Sequence, residues 1–266
     1  MSGRRYVVTG AASGIGKSVA QLAAAEGAAL SLVDISSDSL EAVAEELRGN
    51  GARVTTVVAD LTSAEEASRV IEKSAAFLGG IDVLVSNAGA PQLYFLKDLP
   101  VDAFDRAIAL NVRATWALGQ AAHPYLAESR GAIVATGSVC GHHPAPPQGA
   151  YSVAKAGLLM LVRQMALEWG PDGIRCNSVS PGPTTTGLTE GVFNDVSDPR
   201  QKAVREMREA RLPLRKLGAP VEVAEAIMFL ASSKASQITG VDIIVDGGMS
   251  TVLMPAVGVS TGQEGR

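Results

Sequence analysis

The sequence predicts an α/β fold: one domain built on a doubly wound parallel sheet of about seven strands, with helices on both faces. Three observations predict it. Seven short β-branched runs recur along the chain, each run is apolar nearly throughout, and Ala- and Glu-rich segments separate one run from the next. Strands covered on both faces lose the apolar/polar alternation of half-exposed ones. Strands that alternate with helices form βαβ units, whose right-handed crossovers lay helices on both sides of a parallel sheet.

The runs are RYVVT, ALSLVD, RVTTVVAD, IDVLVS, GAIVATGS, IRCNSVS and VDIIVDG. No linker, low-complexity tract or internal repeat divides the chain, so residues 1–250 read as one domain of the Rossmann type and residues 251–266 as a tail. Two segments break the rhythm. Residues 139–150 are rich in Gly and Pro, and residues 183–213 are polar and charged; PRQKAVREMREARLP within them has an amphipathic helix pattern, and about 188–212 reads as a lid.

Hydrophobic residues make up 47% of the 266 and charged residues 19%, enough for a sizeable core. The formal net charge is -4 and no basic run occurs, which argues against nucleic acid or an acidic membrane as partner. No stretch of about 18 apolar residues is present, and MSGRRYVVTG runs into a strand pattern rather than a secretory leader, so a cytoplasmic protein is expected. Cys140 and Cys176 belong to no CxxC cluster and read as free thiols. His123, His142 and His143 lack metal spacing, and no catalytic metal is expected.

The first run ends in TGAASGIG, placing Gly10, Ser13, Gly14, Ile15 and Gly16 in a strand-to-helix turn. Missing Cβ atoms let such a backbone approach a pyrophosphate at the positive end of a helix, although a plain tight turn uses the same residues. The second run stops at Asp34, 24 residues beyond Gly10. A carboxylate there can accept both hydroxyls of an adenosine ribose, whereas a 2′-phosphate would meet like charge. Ile35, Ser36 and Ser37 supply no cation to offset it, so NAD is expected over NADP. The other reading of Asp34 is a helix cap or an exposed acid.

The fifth run delivers Ser138 at its carboxyl end, the edge where open α/β sheets bind ligands. YSVAK then opens a helical stretch in which Tyr151 and Lys155 share one face, a turn apart. An unperturbed phenol titrates near pH 10; a neighbouring ammonium and a cationic nicotinamide each favour phenolate, and the expectation is a drop of about three units. A surface pair has the same spacing.

TGAASGIG, Asp60 after the third run, NAG at 87–89, Asn111 in the central helix, Ser138, YSVAK and PG at 181–182 occur in the order typical of short-chain dehydrogenase/reductases. The chain resembles that family over about residues 5–248. The resemblance implies that Tyr151 is the general acid/base, that Lys155 lowers its pKa and binds the nicotinamide ribose, and that Ser138 polarises the substrate. It implies that Asn111 holds a proton-relay water near Lys155. Asp60 and Leu61 would approach the adenine, and Asn87, Ala88 and Gly89 would line the cofactor groove. In SVSPGPTTTG, Pro181, Gly182, Thr184 and Thr186 would meet the carboxamide and phosphates, although Thr184 stands where an aliphatic residue is usual.

The implied reaction moves a hydride from a carbinol carbon to NAD as Tyr151 takes the hydroxyl proton. Oxidation of a secondary alcohol is the expected direction. Cys140, His142 and Gln148, between Ser138 and Tyr151, and Gln92 and Tyr94, after NAG, are the candidates for contact with a small alcohol or carbonyl substrate. Relatives commonly assemble as tetramers through the long helices at about 102–128 and 151–169, so a homotetramer is expected by resemblance. Two other readings compete: an NADPH-linked carbonyl or 3-oxoacyl-thioester reductase, which Asp34 disfavours, and a non-catalytic dinucleotide sensor, for which Ser138, Tyr151 and Lys155 together would have no use.

Overall fold

The structure is a computed structural model that describes residues 3–189 and 191–252. Glu190 of the expected lid and residues 253–266 of the expected tail lie outside the described residues. Seven strands, β1 (Arg5–Thr9), β2 (Ala29–Asp34), β3 (Val54–Val58), β4 (Val83–Ser86), β5 (Ala132–Thr136), β6 (Arg175–Pro181) and β7 (Asp242–Val245), form one sheet in the order β3-β2-β1-β4-β5-β6-β7. Every pairing is parallel. Each strand falls inside or against one of the seven predicted runs.

Among the described residues, eight α-helices connect and cover the strands: α1 (Gly14–Ala25), α2 (Ser37–Gly49), α3 (Ala64–Leu78), α4 (Val101–Ile108), α5 (Ala114–Ser129), α6 (Gly149–Trp169), α7 (Pro199–Glu209) and α8 (Pro220–Ala231). Successive strand residues point to opposite faces, so β1 feeds two cores. Tyr6 and Val8 join Val19, Leu40, Val43, Val223 and Ile227 of α1, α2 and α8. Val7 joins Ile71, Leu118, Leu126, Leu158 and Val162 of α3, α5 and α6. Central strands β4 and β5 are buried at every position, which explains their unbroken apolar runs.

The helix expected over about 102–128 is divided. Between α4 and α5 the backbone widens into a π turn at Ala109–Arg113, a feature frequent at functional sites, and this turn carries Asn111. The segment expected as a lid shares a small core with the residue Leu217 that follows it. Phe193, Leu212 and Leu217 are buried together with Val204 against them, and the Arg208 guanidinium lies 4.9 Å from the Phe193 ring centre. Helix α7 itself buries no residue fully.

The sheet reverses its winding between β1 and β4, because β2 and β3 extend from one side of this pair and β5 to β7 from the other. A crevice opens at such a switch point, at the carboxyl ends of the strands. Gly10, Asp34, Asp60, Asn87, Ser138 and Pro181–Gly182 all stand at or just beyond those ends.

Candidate active site

The turn after β1 is shaped by contacts that only glycines permit. Gly10 and Gly14 have φ of +65° and +53°, in the left-handed region. A Cβ on Gly16 would stand 2.1 Å from the Gly10 carbonyl oxygen, so the first turn of α1 can approach β1 only without one. Across the switch point, the Asn87 amide nitrogen donates to the carbonyls of Thr9 and Gly10 at 3.1 and 3.2 Å. The Thr9 hydroxyl in turn accepts from the backbone N–H groups of Asn87 and Ala88, both at 3.0 Å. The glycine turn and the NAG segment are thereby one rigid cradle. Thr186 closes it from above, since a Cβ on Gly14 would lie 3.2 Å from the Thr186 Cβ.

At the end of β2 the Asp34 carboxylate is held by two backbone donors, Ala12 N–H at 3.1 Å and Ser36 N–H at 3.0 Å. Each oxygen keeps a lone pair for a further donor. The nearest lysine in sequence, Lys17, is engaged by Glu46 at 2.8 Å. Asp60, after β3, accepts from the Thr62 N–H and hydroxyl, and these bonds hold its carboxyl below the usual range.

Ser138, Tyr151, Lys155 and Asn111 converge beside this cradle. Ser138 is buried at the end of β5, where its hydroxyl accepts the Cys140 N–H at 3.1 Å and stands close enough to the Tyr151 phenol to pull its pKa down. The Lys155 ammonium is buried, lies 5.5 Å from the Tyr151 ring centre and donates to the Thr136 carbonyl at 2.7 Å. The Asn111 amide nitrogen donates to Ala107 and Ala90 carbonyls, at 3.0 and 3.2 Å. Its oxygen is buried with no donor among the described residues. A Cβ on Gly89 would stand 2.7 Å from that oxygen and 3.3 Å from Lys155 Nζ, so backbone, amide and ammonium surround one small space.

The Tyr151 phenol of the coenzyme-free chain does not itself show a lowered pKa. Burial pushes the Tyr151 phenol up to about 12, against a smaller downward pull from the Ser138 bond. Burial also brings Lys155 down to about 8. The protein groups by themselves therefore do not create a phenolate near neutral pH. The reason is that desolvation of the hydroxyl outweighs the polar contacts the protein offers it.

The substrate candidates divide. Cys140 Sγ donates to Gln148 Oε1 at 3.3 Å, and Tyr94 forms a parallel backbone bridge with Gln148. The Gln92 Oε1 atom is buried with no donor among the described residues. His142 turns toward the far edge of the sheet, where its Nε2 lies 2.7 Å from Asp242 Oδ2. Asp242 also accepts from the hydroxyls of Ser178 and Ser180. The roles of Asp242, Thr9 and Thr136 were not anticipated, because each works through a partner far away in sequence. Among the described residues no group of three or more His, Cys, Asp or Glu side chains could hold a metal ion, and no helix is long and apolar enough to cross a membrane.

The residues present fit a nicotinamide dinucleotide. The turn offers a cradle that side chains would fill, Asp34 offers lone pairs at the ribose end, and Asn111 offers a buried, unpaired oxygen beside Lys155. A sequence profile described as Enoyl-(Acyl carrier protein) reductase matches residues 10–250. The oxidoreductase UcpA of Escherichia coli O157:H7 is 36% identical over 263 residues, covering 97% of this chain and 99% of that protein.

The chain belongs to the short-chain dehydrogenase/reductase family.

Another family member, the cis-4-hydroxycyclohexanecarboxylate dehydrogenase of Sinomonas cyclohexanicum, is 39% identical over 251 residues, 94% of this chain and 97% of that protein. Among solved structures, a short-chain type dehydrogenase/reductase from Mycobacterium marinum superposes with a TM-score of 0.85 at 34% identity, covering 94% of this chain and 96% of that one. As a family member the chain is an oxidoreductase of CH–OH or carbonyl groups that uses a nicotinamide dinucleotide.

Proposed function

We propose that this protein is an NAD-dependent dehydrogenase that oxidises a secondary alcohol to a ketone. The observation that carries the coenzyme choice is Asp34, whose carboxylate is fixed by Ala12 and Ser36 at the ribose end of the cleft with no cation in the segment that follows. A 2′-phosphate would be repelled there, whereas ribose hydroxyls would donate to it. Ser138 holds the carbinol oxygen, the Tyr151 phenol oxygen receives its proton, and Lys155 with Asn111 passes that proton toward solvent through the space beside Gly89. Lys155 also anchors the nicotinamide ribose. When bound, the oxidised coenzyme supplies the hydride acceptor and a positive charge. That charge is the influence on the phenol that the protein lacks, since burial otherwise keeps Tyr151 protonated.

Asp60 and Leu61 receive the adenine, and Ala88 and Ile15 line the groove with Ser13. Pro181, Gly182, Thr184 and Thr186 cover the nicotinamide end, below a lid formed by about 188–212. The assembly is a homotetramer. Val153, Met160 and Leu167, seven residues apart on α6, are 50%, 59% and 74% exposed, an apolar stripe that suits a second copy of the helix. The enzyme works in the cytoplasm, where nicotinamide dinucleotides are available to it, on a small molecule without nucleic acid or membrane. A screen of secondary alcohols for NAD reduction, with NADP in parallel and Tyr151→Phe as control, tests this reading. Turnover that required NADPH and a carbonyl, with none from NAD and any alcohol, would contradict it.

A further inference from the structure

One buried carboxylate, on a strand that takes no part in the chemistry, bears on both flanks of Ser138. Asp242 opens β7, and its side chain is 6% exposed. Its Oδ1 accepts the hydroxyls of Ser178 and Ser180 at 2.6 and 3.0 Å, and both serines are buried on β6. Its Oδ2 lies 2.7 Å from His142 Nε2. A carboxylate only accepts, so the imidazole is the donor. A carboxylate removed from water is costly unless donors replace its hydration, and these three bonds make the charge tenable at the edge of the sheet.

From Asp242 two routes lead to Ser138. On one flank, Gly137 donates its N–H to the Val179 carbonyl at 2.7 Å, and a Cβ on Gly137 would stand 2.4 Å from the Ser180 hydroxyl that Asp242 holds. On the other flank, His142 closes a tight turn. Its N–H donates to the Val139 carbonyl at 3.0 Å, the Gly141 N–H to the Ser138 carbonyl at 2.9 Å, and the Cys140 N–H to Ser138 Oγ at 3.1 Å. The turn also meets the reacting helix, because a Cβ on Gly141 would lie 2.9 Å from the Lys155 carbonyl carbon. It is thereby held by β7 and by the backbone of α6, and the imidazole Nε2 is taken up by Asp242.

We propose that His142 and Asp242 are positioning residues for the reaction: their bond fixes the turn that presents the Ser138 hydroxyl beside Tyr151, and neither side chain touches the substrate. This inference rests on the proposed alcohol oxidation, in which Ser138 holds the carbinol oxygen, and adds the two residues through which Ser138 is held. A misplacement of about 1 Å at a reacting group can slow the chemistry by about 100-fold.

The test is a double-substitution cycle in kcat, with NAD and cyclohexanol or, where that is not turned over, the best alcohol of the screen. His142→Asn shortens the side chain so that its amide stops short of Asp242, whereas His142→Gln places an amide N–H where Nε2 stands. Asp242→Ala removes the acceptor; Asp242→Asn, which keeps an oxygen for the two serines and turns an amide toward His142, replaces it in the cycle if Asp242→Ala does not fold. His142→Asn and Asp242→Ala should each lower kcat by about 10–100-fold, with KM for the alcohol and NADH affinity nearly unchanged. The double variant should be no slower than the slower single one, and His142→Gln should recover most of the rate. A second readout needs no turnover. Cys140 lies within the turn and is half-buried, whereas Cys176 is fully buried, so dithionitrobenzoate reports on the turn. Its reaction with Cys140 should quicken severalfold in His142→Asn and Asp242→Ala and not in His142→Gln. Faster thiol reaction in those two variants, with no oxidation of any alcohol by the wild type, would keep the clasp while refuting the reaction. Wild-type kcat in both single variants, additive losses in the double variant, a rise in KM confined to the His142 variants, or a thiol rate that no variant alters would overturn the inference.

Discussion

The ammonium of Lys155 donates to the carbonyl oxygen of Thr136 at 2.7 Å, and both residues are buried. The hydroxyl of the same threonine donates to Asn87 Oδ1, whose amide nitrogen donates in turn to Gly10. A continuous line of hydrogen bonds therefore runs from the glycine turn, across the switch point of the sheet, to the lysine beside Tyr151. Cradle and reacting group are positioned by one network, which is how a coenzyme held at one end can be aligned with a phenol at the other.

Burial of that ammonium makes stability depend on pH. Lys155 falls from an ordinary value of 10.5 to about 8 in the folded chain. Between those values the unfolded chain binds the proton and the folded chain does not, so this group's contribution to stability rises with pH through this window. The range corresponds to on the order of 3 kcal/mol. Below about pH 8 the cost of the buried charge is present in full. Thermal midpoints of the coenzyme-free protein should rise from pH 8 to about pH 9, above which the Cys176 thiol, pushed by burial from 9.0 to about 12, offsets the gain, and Lys155→Met should lose most of that rise. An identical pH profile in the variant would mean that the ammonium is not desolvated as the structure has it.

Tyr151, together with the buried Tyr6, adds to the opposing effect of Cys176 above pH 10. The folded value of Tyr151, about 12, exceeds the ordinary 10, so above pH 10 the unfolded chain releases a proton that the folded chain keeps, and stability falls. Tyr151→Phe should be less sensitive than the wild type to pH between 10 and 12 in the same melting experiment.

Asp34 should determine the coenzyme. Asp34→Ala combined with Ile35→Arg removes a carboxylate and supplies a cation for a 2′-phosphate, and should move the NADP-to-NAD ratio of kcat/KM toward NADP by about tenfold or more. A ratio that stays where it was would show that Asp34 does not meet the ribose.

Gly16 should not tolerate a methyl group. Its Cβ position lies 2.1 Å from the Gly10 carbonyl oxygen, a backbone atom that cannot rotate away. Gly16→Ala should lose about 1–3 kcal/mol in urea unfolding and weaken NADH binding measured by fluorescence. Wild-type stability and affinity in the variant would mean that α1 packs less closely on β1.

The exposed stripe on α6 should hold subunits together. Light scattering should give the mass of four chains for the wild type and a smaller species for Leu167→Glu, which places a charge on the most exposed of the three positions. A monomeric wild type would remove the assembly from the account.

The strands, their boundaries within two or three residues and their parallel arrangement were legible in the sequence, because central strands such as β4 and β5 carry their burial as unbroken apolar runs. The glycine turn, Ser138 and the Tyr151–Lys155 pair were legible too, since each depends on local spacing. The break in the central helix at Asn111 was not: a π turn leaves the same residue pattern as an uninterrupted helix. The engagement of His142 by Asp242 could not be read either, because it joins positions 100 residues apart. The phenol's elevation was missed for a physical reason. Spacing reveals the ammonium next to it but not the desolvation, which depends on everything packed around the hydroxyl.

The most direct test of the central claim, that Tyr151 moves the proton in an NAD-linked alcohol oxidation, is the rate of NAD reduction by wild type and Tyr151→Phe with the best alcohol from the screen. Tyr151→Phe should lower kcat by about 10²–10⁴-fold with NADH affinity retained. A variant that oxidises the alcohol as fast as the wild type would contradict it.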